Sequence, residues 1–237
     1  MAYIQNQYCG KQYCEYTIIK TVGEGRYGMC FLAHSVSGTP VIIKRFKPSI
    51  FKRNADRNHY EAVILSKLTH SAIPELLGVI NEEGFYGFVL ELKLGTTIKD
   101  MLFKQRHIFT NHEIFMIGSQ LINIIRYLQQ NGIVHRDIST QNVLVFDGSV
   151  SLIDFGLARY EDSQRYTKDI DYFYFGDLLL YLLYSSFKKI NIRPRPWYDE
   201  LPINPDKKVF LKKLLRIESQ FESIDEIEKG LRVFNSD

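Results

Sequence analysis

The stretch HRDISTQN, residues 135–142, holds three consecutive ionisable side chains and a later amide between two apolar runs. Gly-Ile-Val precedes the stretch and Val-Leu-Val follows it, and short apolar runs of this kind are typical of strands. Polar residues between two strand-like runs usually form a loop at a functional site. The stretch therefore predicts a site loop with Asp137 and Asn142 among its candidate groups.

A second aspartate follows this loop at the end of another strand-like run. Asp154 stands seventeen positions after Asp137 and directly before Phe-Gly. A single aspartate in that context is by itself a turn residue. Together with the Asn142 amide it predicts a cradle for Mg²⁺, because oxygen ligands suit that hard cation.

Upstream, a lysine and a glutamate form another candidate pair. Lys44 ends the apolar run VIIK, which predicts a strand, and Glu61 falls on the helix predicted next. In the simplest interpretation both are ordinary surface charges. The alternative is an ion pair that directs the lysine ammonium at phosphate oxygens.

Three glycines precede that lysine in the run GEGRYG. Gly23, Gly25 and Gly28 follow a strand-like run, and glycines let backbone amides approach phosphates closely. The pattern alone also marks dinucleotide sites and ordinary turns. The next residues, MCFLAH, predict a strand and not a helix, which argues against a dinucleotide-binding fold.

The first ninety or so residues predict mainly strands, at 16–22, 29–33, 40–46 and 84–92. One helix is predicted over residues 55–68, with Tyr60, Ile64 and Leu68 on its apolar stripe. From about residue 94 the periodicity becomes helical. The order of a β-rich half and then a helical half predicts the fold class α+β with two lobes.

The helical half carries several start and stop signals. Thr110 and Glu113 predict a capping box, and apolar residues then recur at helical spacing up to Asn131-Gly132. The recurring positions are Ile114, Ile117, Leu121, Ile124 and Leu128. Residues 172–187 predict a buried central helix, because nearly every face is apolar.

The last forty or so residues begin with a proline-rich stretch. Residues 193–205 hold four of the seven prolines and predict a loop. Asn204-Pro205 predicts the start of a helix with its lysines outward and three apolar residues inward. Those three are Val209, Phe210 and Leu214. Ser223 and Glu226 predict a second capping box for a last helix.

Composition excludes several classes of protein. A net charge of +3 and a pI near 8.6 do not require a nucleic-acid partner. Three cysteines are too few for a disulfide framework, and Cys9 and Cys14 lack a second pair of zinc ligands. No signal-peptide pattern or membrane-length apolar run is present, so a cytoplasmic protein without membrane or nucleic-acid partners is predicted.

Taken in order, the glycine run, VIIK, Glu61, HRD with Asn142, and Asp-Phe-Gly resemble the motif set of the eukaryotic-like (Hanks-type) protein kinases. The resemblance implies a single two-lobed kinase domain over residues 1–237. Its β-rich N-lobe covers about residues 1–92, its hinge residues 91–93 and its helical C-lobe about residues 94–237. The implied activity is ATP- and Mg²⁺-dependent phosphoryl transfer to Ser or Thr of an unidentified protein substrate, with autophosphorylation.

The resemblance also implies a role for each matching residue. Asp137 resembles the catalytic base, Lys44 the lysine on the α- and β-phosphates, and Asn142 and Asp154 the metal ligands. The residues that would bind ATP are Val22, Gly23, Gly25, Gly28, Cys30, Ile42, Lys44, Glu61, Leu90, Glu91, Lys93 and Leu144. Leu90 would be the gatekeeper, and Glu91 to Lys93 the hinge. Leu65, Leu76, His135 and Phe155 would form the regulatory spine, and Asp171 with Gly176 would start the central helix.

Three features depart from that family. Ser139 stands where a cation is usual, so the transferring phosphoryl group lacks one positive charge. Ile42 replaces the usual alanine over the adenine. Between Gly156 and Asp171 there are fourteen residues and no Ala-Pro-Glu, and the arginine that pairs with that glutamate is missing near Phe221. The chain therefore resembles the compact stand-alone kinases of bacteria.

Two alternatives to a protein kinase stay open from the sequence. One is a pseudokinase that binds ATP or a partner, and the other is a small-molecule kinase. For the kinase hypothesis, Ser163, Tyr166 and Thr167 are candidate autophosphorylation sites near Arg136. Arg165 or Lys168 would supply the charge that Ser139 does not.

Overall fold

The computed structural model describes residues 7–25, 28–47, 55–82, 84–162, 164–188, 193 and 195–235, with the backbone alone for residues 55–59. The chain divides into two compact units, which we call the sheet unit (Met1–Lys93) and the helical unit (Leu94–Asp237). None of the described helices is both long enough and apolar enough to cross a membrane.

The sheet unit is an antiparallel sheet of six strands in the order β1-β2-β3-β4-β6-β5. The strands are β1 (Gln12–Tyr13), β2 (Tyr16–Glu24), β3 (Gly28–Ser35), β4 (Pro40–Phe46), β5 (Leu76–Glu82) and β6 (Phe85–Glu91). The sequence predicted β2, β3, β4 and β6 but not β1 or β5. In β5 the exposed residues include the apolar Leu77 and Val79, so the alternation of apolar and polar residues that marks a strand is weak.

One face of this sheet forms the core of the unit. Alternate residues of β3 and β4 are almost fully buried there, because side chains along a strand point to opposite faces in turn. The core residues are Ile18, Met29, Phe31, Ala33, Val41, Ile43, Ile80, Phe85 and Val89. The residues between them in the sequence therefore lie on the other face.

Helix α1 (Ala55–Leu65) is three residues shorter than predicted. Beyond it, the Leu68 N–H donates to the Leu65 carbonyl in a tight turn. Ile64 and Leu68 are buried as predicted, but Tyr60 is 42% exposed, so its place on the inward stripe was wrong. The inward position is taken by the next residue, Glu61, which is 2% exposed.

The helical unit contains six helices in the part of the chain that the structure describes. They are α2 (Ile98–Phe103), α3 (Asn111–Gln130), α4 (Asp169–Tyr184), α5 (Trp197–Glu200), α6 (Pro205–Leu214) and α7 (Ile224–Leu231). Its short strands are β7 (Thr96–Thr97), β8 (Ile133–Val134), β9 (Val143–Phe146), β10 (Ser149–Leu152) and β11 (Arg159–Tyr160). A sheet unit and a helical unit confirm the α+β class.

Helix α3 confirms its sequence signals closely. The Thr110 hydroxyl accepts the Glu113 N–H, and the Glu113 carboxylate accepts the Thr110 N–H. The five predicted inward residues are all buried, and the helix ends at Asn131, before Gly132 with a positive φ of 64°.

Helix α4 is the buried central helix, but it begins and ends about three residues earlier than predicted. At its C-terminus the Ser185 hydroxyl accepts the N–H of Phe109, which ties the end of α4 to the chain just before α3. The predicted loop 193–205 is wrong at α5, where Pro196 precedes the first turn with φ near −55°. Proline is compatible with a helix start because its fixed φ is already helical.

Helix α6 starts at Asn204-Pro205 as predicted, but its two faces were partly misassigned. Val209 is 44% exposed and Lys207 only 6%, whereas an inward Val209 and outward lysines were predicted. The Lys207 ammonium lies 5.4 Å from the centre of the Phe234 ring, and this cation–π contact favours the inward position of the lysine.

Helix α7 has half of its predicted capping box. The Ser223 hydroxyl accepts the Glu226 N–H, whereas the Glu226 carboxylate accepts the Glu222 N–H and not that of Ser223. The predicted box was therefore wrong in its second half, because the glutamate reaches one residue further back along the chain.

Candidate active site

Four of the predicted ATP-contacting residues share the face of the sheet opposite the core. Cys30 lies directly across from Lys44, and Ile42 lies directly across from Leu90. Residues directly opposite each other in a sheet point to the same face. Gly23 continues the row, since it pairs with Cys30 beside a bulge in β2. Sequence spacing and strand register together place these residues side by side.

The three glycines differ in the space around them. A β-carbon on Gly28 would lie 1.9 Å from the Arg45 carbonyl oxygen, so the fold itself excludes a side chain there. A β-carbon on Gly23 or Gly25 would meet nothing within 4 Å. Their lack of a side chain is therefore not explained by packing and leaves open space along the chain. Val22, just before them, is 49% exposed. Arg26 and Tyr27 lie outside the described residues.

Lys44 and Glu61 form a close ion pair. The Lys44 ammonium lies 2.8 Å from both carboxylate oxygens of Glu61. The side chains are 13% and 3% exposed, so water screens the pair little. Of the two interpretations left open by the sequence, the structure favours the ion pair over two solvated charges.

The predicted hinge residues Glu91 and Lys93 use their side chains within the sheet unit. The Lys93 ammonium lies 2.8 Å from a Glu91 carboxylate oxygen and 2.6 Å from the Ser71 carbonyl oxygen. The Glu91 backbone N–H donates to the Glu75 carbonyl at 2.9 Å. These contacts fix the chain at the end of β6, and no local pattern in the sequence indicates them.

In the helical unit, the loop of residues 135–142 brings Asp137 and Asn142 together. The Asn142 amide donates to the Asp137 carbonyl at 3.0 Å and to its Oδ2 at 2.8 Å. The Asn142 backbone carbonyl accepts the Ile153 N–H, so the asparagine is held between the loop and the chain before Asp154. Leu144, predicted to contact the nucleotide, follows on β9 and is 8% exposed.

Asp154 lies close enough to Asp137 to affect its ionisation. Burial raises the pKa of the Asp137 carboxyl and the Asp154 charge adds to this, while the hydrogen bond from Asn142 opposes it. Asp154 itself is exposed and has a left-handed backbone, with φ of 63°. Its carboxylate accepts the Gly156 N–H, which makes it the cap of a 3-10 turn at Phe155–Leu157.

The oxygen donors here suit a hard cation. The side-chain nitrogen of Asn142 donates to Asp137, so its side-chain oxygen is the atom it can offer to a metal. Asp154 offers a carboxylate. Among the residues with described positions, no group of three or more His, Cys, Asp or Glu could hold a metal. The arrangement thus fits an ion bound by few protein oxygens, as Mg²⁺ is when phosphates supply the others.

Asp171 supports the loop by hydrogen bonds to its backbone, a role the sequence did not reveal. It is 1% exposed, and its two carboxylate oxygens accept the backbone N–H groups of His135 and Arg136 at 2.8 and 2.7 Å. Arg136 has a positive φ of 68°, a conformation that these bonds help to hold. Burial raises the pKa of Asp171 to about 7, although both N–H donors act against it.

This raised pKa predicts how stability depends on pH. An aspartate with a folded pKa above its unfolded value stabilises the fold most at low pH, and that stabilisation is lost as pH rises towards 7. The unfolding free energy of the parent minus that of Asp171→Asn should therefore decrease by about 2–3 kcal/mol from pH 5 to pH 8. Urea unfolding of both proteins at several pH values measures this. An advantage that grows with pH would contradict the raised pKa.

Ser139 occupies the position where the resemblance implies a cation. Its hydroxyl is buried and makes no hydrogen bond of ordinary geometry to any described residue. It nevertheless lies near enough to Asp137 to help lower the pKa of that carboxyl against the effect of burial. The guanidinium of Arg165, one of the predicted substitutes, lies 5.3 Å from the centre of the Tyr166 ring. Compensation by Arg165 or Lys168 stays a prediction.

The short segment after Asp154 is anchored at both ends. Strand β11 pairs with β8, just before the site loop, and α4 begins at Asp169.

Of the predicted spine residues, His135 and Phe155 contact each other edge to face at 4.6 Å. Leu65 is buried and Leu76 pairs with Leu90 in the sheet unit. Ser163 lies outside the described residues.

A different ion pair lies close to where the family's late arginine was expected. Arg216, just after α6, lies 2.6 Å from Asp169 at the start of α4. Phe221 packs near the Phe210 ring and under the Lys213 ammonium. The family's salt bridge is missing from the sequence, and another is present instead, between the acidic first residue of the central helix and a basic residue just after α6.

The motif residues thus gather in two sets, one on each unit. The family described as "Protein kinase domain" matches residues 16–181, more than half of the 237-residue chain. The chain belongs to the protein kinase domain family. The resemblance read from the motifs is confirmed, and so is the kinase-like α+β fold.

Similar kinases include a bacterial protein of nearly the same length. The chain is 31% identical to Probable serine/threonine-protein kinase YbdM of Bacillus subtilis, over 92% of this chain and 88% of that protein. It is 30% identical to Cyclin-dependent kinase F-3 of Oryza sativa, over 61% of this chain and 33% of that protein. It is 28% identical to Calcium/calmodulin-dependent protein kinase type 1 of Caenorhabditis elegans, over 63% and 44%.

Proposed function

We propose that this kinase transfers the γ-phosphoryl group of ATP to Ser or Thr hydroxyls of a protein, with Mg²⁺ as cofactor. The Asp137–Asn142 pair, held at 2.8 Å on a loop that Asp171 fixes, is the observation that supports a competent enzyme best. The choice of Ser and Thr rests on the name of the Bacillus subtilis relative. The pseudokinase and small-molecule alternatives gain no support from the comparisons.

Asp137 is the proposed base. During transfer the acceptor oxygen forms a bond to the γ-phosphorus, the bond from that phosphorus to the β–γ bridging oxygen breaks, and ADP leaves. The hydroxyl proton passes to the Asp137 carboxylate. Burial raises the pKa of that carboxyl, which makes it a stronger base, while Asn142 and Ser139 keep its charged form accessible. Asn142 also orients the carboxylate by holding Oδ2.

Lys44 and the glycines are the proposed ligands of the triphosphate. Glu61 holds the Lys44 ammonium in place by two contacts of 2.8 Å, so the lysine is oriented before ATP arrives. The space beside Gly23 and Gly25 allows backbone N–H groups to approach phosphate oxygens. The same sheet face carries Cys30, Ile42 and Leu90, which form an apolar surface suited to adenine.

Asn142 and Asp154 are the proposed Mg²⁺ ligands. When bound, the cation would neutralise charge on the β- and γ-phosphates. The two protein oxygens would fix its place relative to Asp137.

We further propose autophosphorylation, with Thr167 as the candidate acceptor, and a cytoplasmic location, where ATP is abundant.

A transfer assay with labelled ATP tests this proposal. We expect Mg²⁺-dependent label on phosphoserine and phosphothreonine of a protein or peptide mixture, and a loss of about 10²-fold or more for Asp154→Asn. Asp147→Asn is a matched control, because Asp147 is also exposed with a positive φ, of 47°. Label found only on tyrosine or on small molecules would refute the assignment of acceptor. Full turnover by Asp154→Asn would refute the metal site.

A further inference from the structure

Asp162 makes several hydrogen bonds to residues 164–166 in the segment between the Phe-Gly turn and helix α4. The Asp162 carboxylate accepts the N–H groups of Gln164, Arg165 and Tyr166 through a single oxygen. In return, the Asp162 N–H donates to the Tyr166 carbonyl at 3.0 Å. These bonds hold the backbone of Tyr166 against Asp162.

The Tyr166 ring lies against Arg136, the residue that precedes the proposed base. The Arg136 guanidinium lies over the ring, 4.5 Å from its centre. Its Nη1 donates to the Leu157 carbonyl at 3.0 Å, and its backbone N–H donates to Asp171 at 2.7 Å. Arg136 is therefore held at its backbone, at one edge of the guanidinium and at the guanidinium face.

Both ends of the segment are tied to the helical unit as well. Upstream, the Glu161 N–H donates to the Gly132 carbonyl at 2.7 Å, next to the pairing of β11 with β8. Downstream, the Ile170 N–H donates to the Thr167 carbonyl at 3.1 Å as α4 begins. The described residues of the segment are thus held both by hydrogen bonds within it and by contacts at its two ends.

We propose that Tyr166 is a positioning residue that takes over the role of an activating phosphate, so that this kinase turns over with its segment unphosphorylated. The inference rests on the proposed function. In kinases switched by phosphorylation, new pairs between arginine and a phosphorylated residue order the segment. Here a neutral aromatic ring makes the contact with arginine, by the cation–π attraction that guanidinium groups show for aromatic faces.

The consequence for catalysis passes through one peptide bond. Arg136 and Asp137 are adjacent, and the left-handed conformation of Arg136 sets the direction in which the chain continues to Asp137. Loss of the ring would remove one of the contacts that hold the guanidinium, while its hydrogen bond to the Leu157 carbonyl would stay. The base would then be less well placed, while the residues proposed to bind ATP would keep their positions.

Two variants, Tyr166→Ala and Tyr166→Phe, test whether the aromatic ring carries this role. Both are dephosphorylated before the assay. We expect Tyr166→Ala to lower kcat by about tenfold with little change in KM for ATP, and Tyr166→Phe to retain the parental kcat, because the ring suffices. Tyr181→Ala is the matched control, since Tyr181 is 46% exposed on α4. A Phe variant as slow as the Ala variant would overturn the proposal, as would parental kcat in the Ala variant.

A second arm uses the parent protein alone, so it holds even where Tyr166→Ala does not fold. Parent treated with phosphatase, with removal checked by mass spectrometry, should give progress curves that are linear from the start. A lag that preincubation with ATP abolishes would show that a phosphate is required and would overturn the proposal. Absence of any Asp137-dependent transfer by the parent is a different result, because it refutes the proposed function itself.

Discussion

Asp137→Asn is expected to lower kcat by about 10²–10⁴-fold, the range typical for removal of a general base. The amide is nearly the same size as the carboxylate, so the change removes proton acceptance and little packing. Because burial raises the pKa of Asp137 in the parent, loss of the charge should leave the fold as stable or more stable. Steady-state kinetics and thermal unfolding of the same preparation measure both effects.

Asp177→Asn is the matched control for that variant. Asp177 is also a partly buried aspartate whose pKa burial raises, but it lies within α4 and has no place in the proposed chemistry. We expect parental kcat from Asp177→Asn, with stability unchanged or higher. If Asp137→Asn turned over at the parental rate while binding ATP normally, another group would have to be the base.

The motifs of this kinase could be read from the sequence because each depends on near neighbours. Asp137 and Asn142 lie five positions apart in one loop, so a contact between their side chains needs only a local turn of the chain. Lys44 and Leu90 lie on regular strands, where alternation fixes the face of each side chain. The capping box at Thr110 is likewise local.

Other features could not be read because they depend on contacts far along the chain. Glu61 is buried and pairs with Lys44, whereas the neighbouring Tyr60 is exposed, and no local pattern shows this difference. The buried Lys207 lies near the ring of Phe234, which follows the last helix and is far along the chain. Asp171 receives its two N–H groups from residues more than thirty positions earlier.

The short segment shows the same limit in the proposed site. Its length and its missing Ala-Pro-Glu were visible in the sequence, and so was Tyr166, as a candidate acceptor of phosphate. The contact of its ring with Arg136 depends on the hydrogen bonds that Asp162 makes to residues 164–166. A tyrosine that packs on an arginine and one that is phosphorylated look alike in a sequence.

Lys44→Met is expected to abolish measurable turnover and also to destabilise the sheet unit. The activity loss follows from removing a cation proposed to contact the triphosphate, at about 10²-fold or more. The stability loss follows from the burial of the pair, since Glu61 is only 3% exposed at its side chain and would lose the ammonium at 2.8 Å. Breaking a buried pair from one side typically costs about 3–5 kcal/mol.

Adding Glu61→Leu to Lys44→Met separates the two effects. Leucine removes the buried charge and is a good helix former, so the double variant should recover most of the lost unfolding free energy. Its turnover should stay as low as that of Lys44→Met, because the cation for the phosphates is still absent. Urea unfolding and transfer assays of the parent, both single variants and the double variant complete the cycle. Recovery of turnover together with stability would show that Lys44 acts only by holding the fold, and that the triphosphate finds its positive charge elsewhere.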